Sequence, residues 1–289
     1  IYTHIAGIDL IRNESGNFYV LEDNLRTPSG VSYMLENREI TRRLYPKFIP
    51  KNKVLPINNY PTLLYNQLKS LSGKKKPVIV LLTPGLYNSA YYEHTALARL
   101  MGVELVEGND LVSENNYVFM KTAGGLKIVD IIYRRVDDDF LDPLNFNSAS
   151  VLGVAGIMDS YRNGNVIIVN APGSGIADDK AVYTYVPDMI SYYLNEKPIL
   201  ENIKTFKLSN EDEKEYVIKN IEKLVVKRTD GSGGYGMLIG NDANEKEIEN
   251  FIKKIKKEPE MYIAQPTLNL STSPCLINDK LRPRCVDLR

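Results

Sequence analysis

The sequence is poor in cysteine and histidine, carries no net charge and contains no long apolar run. Its two cysteines, Cys275 and Cys285, form neither a metal-binding spacing nor a disulfide framework. Acidic and basic residues are equal in number, 36 of each, so no overall field favours nucleic acid or an anionic membrane surface. No stretch is long and apolar enough to cross a bilayer, and there is no signal-peptide pattern. We therefore expect a protein of the reducing cytoplasm that binds neither nucleic acid nor membrane.

With 289 residues, 43% of them hydrophobic and 25% charged, the chain can bury a core as one large or two ordinary domains. The first residue is Ile1 rather than Met, and the last, Arg289, falls within a predicted strand. We therefore expect both ends to be cuts through a longer protein.

Three oxygen-bearing side chains near the start of the sequence suggest a metal site. An alternating run places four side chains on one strand face: Phe18, Val20, Glu22 and Asn24. Residues 13–16 have turn chemistry, so the strand that carries Asp9 should fold back antiparallel beside this run. The oxygens of Asp9, Glu22 and Asn24 would then point to one position. Such a small set suits Mg²⁺, which retains several water ligands and takes its remaining ligands from nucleotide phosphates. The alternative is a hairpin whose acidic side chains only face water.

A glycine-rich segment late in the sequence indicates a phosphate-binding loop. Predicted strands at 224–228 and 237–240 flank it, and the first of them carries Lys227 near its end. The candidate loop residues are Gly231, Ser232, Gly233, Gly234, Tyr235 and Gly236. Glycines let backbone amides close around an anion, and Lys227 can place its ammonium group on a phosphate. The segment does not match the Walker pattern, and the alternative is a tight hairpin without a ligand.

Between these two elements strands and helices alternate, which predicts an α+β fold of mixed type without repeats. Strands at 77–83 and 103–106 flank a helix at 89–101 and form a β-α-β unit with parallel pairing. The other predicted elements are a hairpin of 117–122 against 126–134, helices at 154–162, 186–194 and 245–256, and a strand at 166–169. Soft boundaries divide the chain into segments 1–70, 71–200 and 201–289.

Two groups of polar residues have open roles. Arg134 and Arg135, which are followed by acidic residues at 137–139, either bind a substrate carboxylate or form an ion-pair cluster beneath a loop. His94 lies in a helical pattern, and we expect a packed or surface histidine rather than a catalytic one.

The sequence resembles the circularly permuted ATP-grasp proteins that are related to the synthetase half of glutathionylspermidine synthetase. The resemblance covers essentially the whole chain, and its most specific pieces are residues 21–30, 133–140, 177–180 and 286–289. An ATP-grasp chain usually places its metal-binding acid and amide after the glycine loop, whereas here they precede it. The resemblance thus implies a circularly permuted ATP-grasp fold with an inserted β-α-β domain of the substrate-binding type.

The resemblance assigns cofactors to each segment. Segment 1–70 would supply the Mg²⁺-binding hairpin and part of the ATP-grasp core. Segment 71–200 would contain the β-α-β domain and a strand-end loop leading to Lys180, which either contacts the nucleotide or is a surface lysine that begins a helix. Segment 201–289 would bind ATP through Lys227 and the glycine loop, with Gln265 at the adenine edge.

The implied reaction is ATP-dependent ligation of a carboxylate to an amine through an acyl phosphate. The family carries an arginine just before its first metal-binding acid, but this sequence has Gly7 and Ile8 there. Arg26 or Arg289, or else Arg12, would have to stabilise the acyl phosphate instead. The alternative is a non-catalytic Mg-ATP-binding module that acts as a sensor or scaffold. The substrates that the resemblance implies are a carboxylate and an amine, either small molecules or peptides.

Overall fold

The structure is a computed structural model that describes residues 2–47, 54–231 and 236–285 and the backbone of residues 287 and 288. The predicted mixture of helices and strands is confirmed. The strands are β1 (Gly7–Arg12), β2 (Phe18–Asn24), β3 (Ile79–Leu82), β4 (Glu104–Val106), β5 (Leu111–Glu114), β6 (Tyr117–Thr122), β7 (Gly125–Ile128), β8 (Ile131–Arg134), β9 (Ile167–Val169), β10 (Glu201–Asn202), β11 (Phe206–Lys207), β12 (Leu224–Arg228), β13 (Leu238–Ile239), β14 (Tyr262–Pro266), β15 (Thr272–Ile277), β16 (Lys280–Cys285) and β17 (Asp287–Leu288). The helices are α1 (Val31–Leu44), α2 (Tyr60–Ser70), α3 (Tyr91–Met101), α4 (Asp138–Leu141), α5 (Ile157–Arg162), α6 (Lys180–Tyr183), α7 (Val186–Leu194), α8 (Glu211–Lys219) and α9 (Glu245–Lys257).

The chain divides into two compact units. Unit 1 comprises Ile1–Ala6 and Leu25–Gly175, and unit 2 comprises Gly7–Asn24 and Ile176–Arg289. The chain therefore passes between the units at positions other than the boundaries expected near residues 70 and 200. The hairpin that carries the predicted metal ligands belongs to unit 2, together with the predicted glycine loop.

A parallel sheet with the strand order β4-β3-β8-β9 forms the centre of unit 1. β3 and β8 are buried along their full length, as expected for strands that are covered on both faces. On one face Leu81 packs with Leu68 of α2 and Leu97 of α3, and on the other Leu82 packs with Ile157 of α5. The predicted β-α-β unit is confirmed as β3-α3-β4 with parallel pairing.

One predicted hairpin strand is two strands in the structure. β6 pairs antiparallel with β7 as predicted, but β7 ends at Ile128. Ile131–Arg134 form β8, which pairs with β3 in the parallel sheet. Asp130 lies at the break, where its side chain accepts a hydrogen bond from Val78 N at 2.8 Å. The prediction of one strand over 126–134 was wrong. A run of apolar residues indicates a strand, but it does not show which other strand each part of the run will pair with.

Unit 2 contains two four-stranded sheets, with the orders β10-β2-β1-β17 and β11-β14-β12-β13, and the separate hairpin β15-β16. α9 begins with a capping box between Asn244 and Glu247 and ends with lysines, as the helix dipole favours. Val226 of β12 packs with Ile255 of α9 in the core that covers the second sheet. Within the described parts of the chain, no helix has both the length and the apolar character needed to span a membrane.

Candidate functional site

The three predicted metal ligands lie on one face of the β1-β2 hairpin in unit 2. Asp9 is directly opposite Glu22, and Gly7 is directly opposite Asn24. Residues directly opposite one another share a face of a sheet, as do alternate residues of one strand. The predicted arrival of Asp9 from the neighbouring strand is therefore confirmed, while metal binding by this set stays a prediction.

A bulge makes one part of the predicted pattern wrong. The register shifts between Asp9 and Leu10, so that Leu10 faces Val20 and Leu21 is the extra residue of β2. Val20 and Phe18 consequently lie on the face opposite to that of Glu22. A bulge re-aims the side chains beside it, and here it separates the acidic end of the hairpin from its apolar end.

The side chains at this position suit a hydrated Mg²⁺ ion. Asn24 Nδ2 is buried and has no hydrogen-bond partner among the described residues. Rotation of the side-chain amide by half a turn would place its oxygen atom at the position of Nδ2. No group of three or more His, Cys, Asp or Glu side chains placed to hold a metal occurs in the described residues. The predicted set has only two carboxylates and one amide, which fits an ion that takes its other ligands from water and phosphate.

Negative charge is concentrated at this end of the hairpin. Burial raises the pKa of Asp23, and the charges of Asp178, Glu22 and Asp9 raise it further. Repulsion of this kind disfavours the charged form of the carboxylates while no cation is bound. A bound cation would relieve that repulsion.

Lys180 lies beside these carboxylates. It is the first residue of α6, which Asp179 caps by accepting hydrogen bonds from Ala181 N and Val182 N. Its Nζ donates to the carbonyl of Gly231 at 2.7 Å and lies 3.4 Å from Glu22 Oε2. The residue begins a helix, but its side chain is only 14% exposed. The structure therefore does not favour the alternative of a surface lysine.

Lys227 is the second lysine of the site. Its Nζ donates a hydrogen bond to Gln265 Oε1 at 2.9 Å, from β12 to the neighbouring β14. Burial lowers the pKa of Lys227, whereas the nearby charges of Glu22 and Asp9 act in the opposite direction. Two ammonium groups and two carboxylates thus act on one another within unit 2.

Paired strands flank the glycine segment. Val225 and Val226 of β12 face Ile239 and Leu238 of β13, which confirms the predicted strands on either side of the segment. Gly231 and Gly236 are described at the two ends of the loop, and the other predicted members lie outside the described residues: Ser232, Gly233, Gly234 and Tyr235.

The described arginines that were named for the acyl phosphate contact other polar side chains. Arg26 belongs to unit 1, where its Nη1 contacts both carboxylate oxygens of Asp137 at 3.0 and 3.1 Å. Arg289 lies outside the described residues. Arg12 Nε donates to Ser271 Oγ at 2.8 Å in unit 2.

Arg134 has its donors committed within unit 1. Its side chain is fully buried and donates to the carbonyls of Asn170, Val136 and Ala171. It also forms a salt bridge to Asp138 at 2.9 Å. These contacts favour the ion-pair alternative over recognition of a substrate carboxylate.

Arg135 and Glu93 hold the segment that follows β2. Arg135 donates to the carbonyls of Thr27 and Pro28, while Glu93 Oε2 accepts from the backbone N–H groups of Gly30 and Ser32. Both side chains are buried, and they lie 3.7 Å apart. The pair therefore acts as a clamp on the backbone at the start of α1.

His94 is a packed histidine, as expected. It is 1% exposed, and its Nδ1 lies 2.8 Å from Thr83 Oγ1. Burial, assisted by the charge of Arg135, lowers the pKa of His94 to about 3. The ring is consequently neutral at physiological pH and holds the end of β3 against α3.

Two residues that contact the site were missed from the sequence. Tyr183 Oη donates to Val20 O at 2.6 Å and so ties α6 to β2. Thr205 Oγ1 accepts a hydrogen bond from Gln265 Nε2 at 3.0 Å. Each partner is at least 60 residues away in the chain, so no local pattern in the sequence marks either residue.

The amino-acid sequence is similar to those of several bacterial proteins. The chain is 52% identical over 288 residues to an uncharacterised protein of Mycobacterium leprae, and the alignment covers 99% of this chain and 51% of that protein. It is 39% identical to a protein of Frankia alni named putative glutamate–cysteine ligase 2-3, and this alignment covers 98% of this chain and 33% of that protein. The chain thus spans about half the length of its mycobacterial relative.

A solved structure of a glutathione synthetase-like effector from Globodera pallida, in its apo form, shares the fold. The TM-score is 0.62 over 93% of this chain and 61% of that one, at 14% identity. The family model for circularly permuted ATP-grasp type 2 proteins matches residues 1–289. This chain belongs to the circularly permuted ATP-grasp type 2 family.

Proposed function

We propose that the chain carries the ATP-binding part of a ligase that joins a carboxylate to an amine through an acyl phosphate. The observation that supports this most directly is the placement of Lys180 and Lys227 beside Asp9 and Glu22 within unit 2. Family membership and the name of the Frankia relative support the same class of reaction.

In this proposal Asp9, Glu22 and Asn24 hold Mg²⁺, which neutralises phosphate charge during transfer. Lys180, Lys227 and the glycine loop bind the ATP phosphates. Phosphoryl transfer requires mainly positioning and charge neutralisation. Two lysines and a metal-binding hairpin supply both without a nucleophilic side chain.

The chemistry then proceeds in two displacements. A carboxylate oxygen of the acid attacks the γ-phosphorus of ATP, and the bond to the β-phosphate oxygen breaks to release ADP. The amine nitrogen next attacks the acyl carbon, inorganic phosphate leaves, and the nitrogen gives up a proton. The products are an amide, ADP and phosphate. The substrates in this proposal are a small-molecule or peptide carboxylate and an amine.

One observation favours a second candidate, a Mg-ATP-binding module that ligates nothing. Arg134 and Arg135 are occupied by backbone carbonyls, and Arg26 by Asp137. Arg12, the other described arginine that was predicted to meet the acyl phosphate, donates to Ser271 Oγ. The nucleotide elements are therefore more complete than the substrate elements.

Hydroxylamine trapping separates the two candidates. The complete natural protein is incubated with Mg-ATP, hydroxylamine and pools of amino acids, other small carboxylates or peptides. A ligase yields a hydroxamate together with ADP and phosphate, because hydroxylamine replaces the amine. Asn24→Ala should lose hydroxamate formation more than ATP binding, since a metal ligand contributes most during transfer.

Asn163→Ala is the matched control, because Asn163 is an exposed residue of unit 1 whose side chain donates to Asp159 O at the end of helix α5. Tight Mg-ATP binding with neither ADP nor hydroxamate from any pool would give the lead to the binding module.

A further inference from the structure

The amide of Gln265 is held at both ends in unit 2. Its Oε1 accepts a hydrogen bond from Lys227 Nζ at 2.9 Å, and its Nε2 donates to Thr205 Oγ1 at 3.0 Å. Gln265 is 4% exposed, so solvent is not an alternative partner. The orientation of this amide therefore decides which of its atoms Lys227 meets.

The chemistry of the partners permits one orientation. An ammonium group only donates hydrogen bonds, so it requires the amide oxygen. The hydroxyl of Thr205 donates to the carbonyl of Ile203 at 2.9 Å, which leaves its lone pairs free to accept from the amide nitrogen. Thr205 thus accepts a hydrogen bond from the amide nitrogen of Gln265, and this orientation directs the amide oxygen toward Lys227.

Thr205 is in turn fixed to the strand that carries Glu22. Ile203 N donates to Val20 O of β2 at 3.2 Å and to Tyr183 Oη at 3.0 Å. The segment from Ile203 to Thr205 connects β10, which pairs with β2, to β11, which pairs with β14. The hydrogen bonds therefore run continuously from the metal-binding hairpin to Lys227.

We propose that Thr205 is a positioning residue that acts through Gln265 to place the Lys227 ammonium group for phosphate binding. This inference rests on the proposed function, since it assumes that Lys227 binds phosphate. Without the hydroxyl the nitrogen end of the amide loses its acceptor, and only Lys227 then opposes a turn of the amide, after which the NH₂ group meets the ammonium group donor to donor. Lys227 would lose its acceptor in a buried position, where an unsatisfied charge is costly. In this arrangement the Gln265 side chain holds the lysine rather than an adenine edge.

Isosteric substitution tests the inference. Thr205→Val keeps the shape and removes the hydroxyl, and Thr205→Ser keeps the hydroxyl. Calorimetry on the complete natural protein should show Thr205→Val binding Mg-ATP about tenfold more weakly, the effect of one lost charge-assisted hydrogen bond. Thr205→Ser should stay within about twofold of wild type. Thr184→Val is the control, because the Thr184 hydroxyl donates to Ala181 O of the adjacent helix α6.

The pH profile distinguishes positioning from a loss of stability. In Thr205→Val the alkaline loss of ATP affinity should begin at lower pH, because a lysine without an acceptor deprotonates more readily. The other charges that act on Lys227 come from Glu22, Lys180 and Asp9, and these are unchanged in every variant. A purely structural role would lower the melting temperature and leave the alkaline limb in place.

A double substitution tests the inference even if Thr205→Val is poorly folded alone. Gln265→Glu offers oxygen at both ends, so its orientation no longer matters. In the Gln265→Glu background, Thr205→Val should have little effect on nucleotide affinity. An equal loss in both backgrounds would overturn the positioning role, because the effect would not pass through the amide.

Lys227→Met separates this inference from the proposed function. If Lys227→Met binds Mg-ATP as wild type does, the phosphate role of Lys227 fails, and the inference fails with it. If Lys227→Met binds weakly while Thr205→Val retains wild-type affinity and its alkaline limb, only the role of Thr205 is overturned.

Discussion

Asp9 lies directly opposite Glu22 on antiparallel strands, and the regular pairing of the two strands breaks immediately beside them. Carboxylates directly opposite one another in a ladder repel each other. Lys180 offsets part of this charge, with its Nζ 3.4 Å from Glu22 Oε2. An arrangement that concentrates carboxylates and keeps a lysine beside them suits a divalent cation that shares its ligands with phosphate.

Glu22→Gln should therefore lose most of the rise in melting temperature that Mg²⁺ with a non-hydrolysable ATP analogue gives to wild type. The amide keeps the shape of the side chain but not its charge, and a weaker complex stabilises the fold less. In the absence of ligand the unfolding free energy should change by less than about 1 kcal/mol, because the pair with Lys180 is partly solvated. Glu14→Gln, in the exposed turn of the same hairpin, is the control. Wild-type Mg-ATP affinity in Glu22→Gln would exclude the hairpin as a metal site.

Local patterns predicted the elements that carry the site. The apolar strand before the glycine segment is β12, and the later strand pairs with it as expected. The turn at 13–16 correctly joined the strand of Asp9 to that of Glu22, because turn residues and short loops determine such pairings locally. The helix at 186–194 was also predicted with its observed bounds.

Pairings between distant segments were not predictable in the same way. The bulge at Leu21 depends on how β1 and β2 fit together, and alternation within β2 alone gives no sign of it. Arg134 ends the buried strand β8 and Arg135 follows it, as substrate-binding arginines can. Only the positions of distant carbonyls such as Asn170 O and Pro28 O show that they are structural.

Lys180→Met should raise the Kd for Mg-ATP about tenfold or more, because it removes a charge placed between Glu22 and the glycine loop. Lys180→Arg should recover part of the affinity, since it keeps the charge with a different shape. Lys219→Met, at an exposed position of α8, is the control. Equal affinities for Lys180→Met and Lys219→Met, measured by calorimetry, would remove Lys180 from the nucleotide site.

Gly236→Ala should weaken nucleotide binding through the backbone of the glycine loop. Gly236 has φ +70°, and an added Cβ would lie 2.9 Å from Arg228 Cδ. The left-handed conformation costs a non-glycine residue about 1 kcal/mol. Gly73→Ala is a close control, because Gly73 has φ +66° in unit 1 and a Cβ there would meet nothing within 4 Å. A loss of affinity common to both variants would indicate general strain rather than a loop that approaches the nucleotide.

The buried His94 should make stability fall as the pH is lowered. Its pKa of about 3 in the folded state lies below the ordinary value of 6.5, so the unfolded chain binds the extra proton between these limits. Stability is therefore retained above pH 6.5 and lost progressively below it, by on the order of 2 kcal/mol over the first two pH units. His94→Asn keeps a polar group near Thr83 and should be less stable at neutral pH, but with a weaker acid dependence. Urea unfolding of both proteins at several pH values measures the difference. Parallel acid dependence in the two proteins would show that other groups cause it.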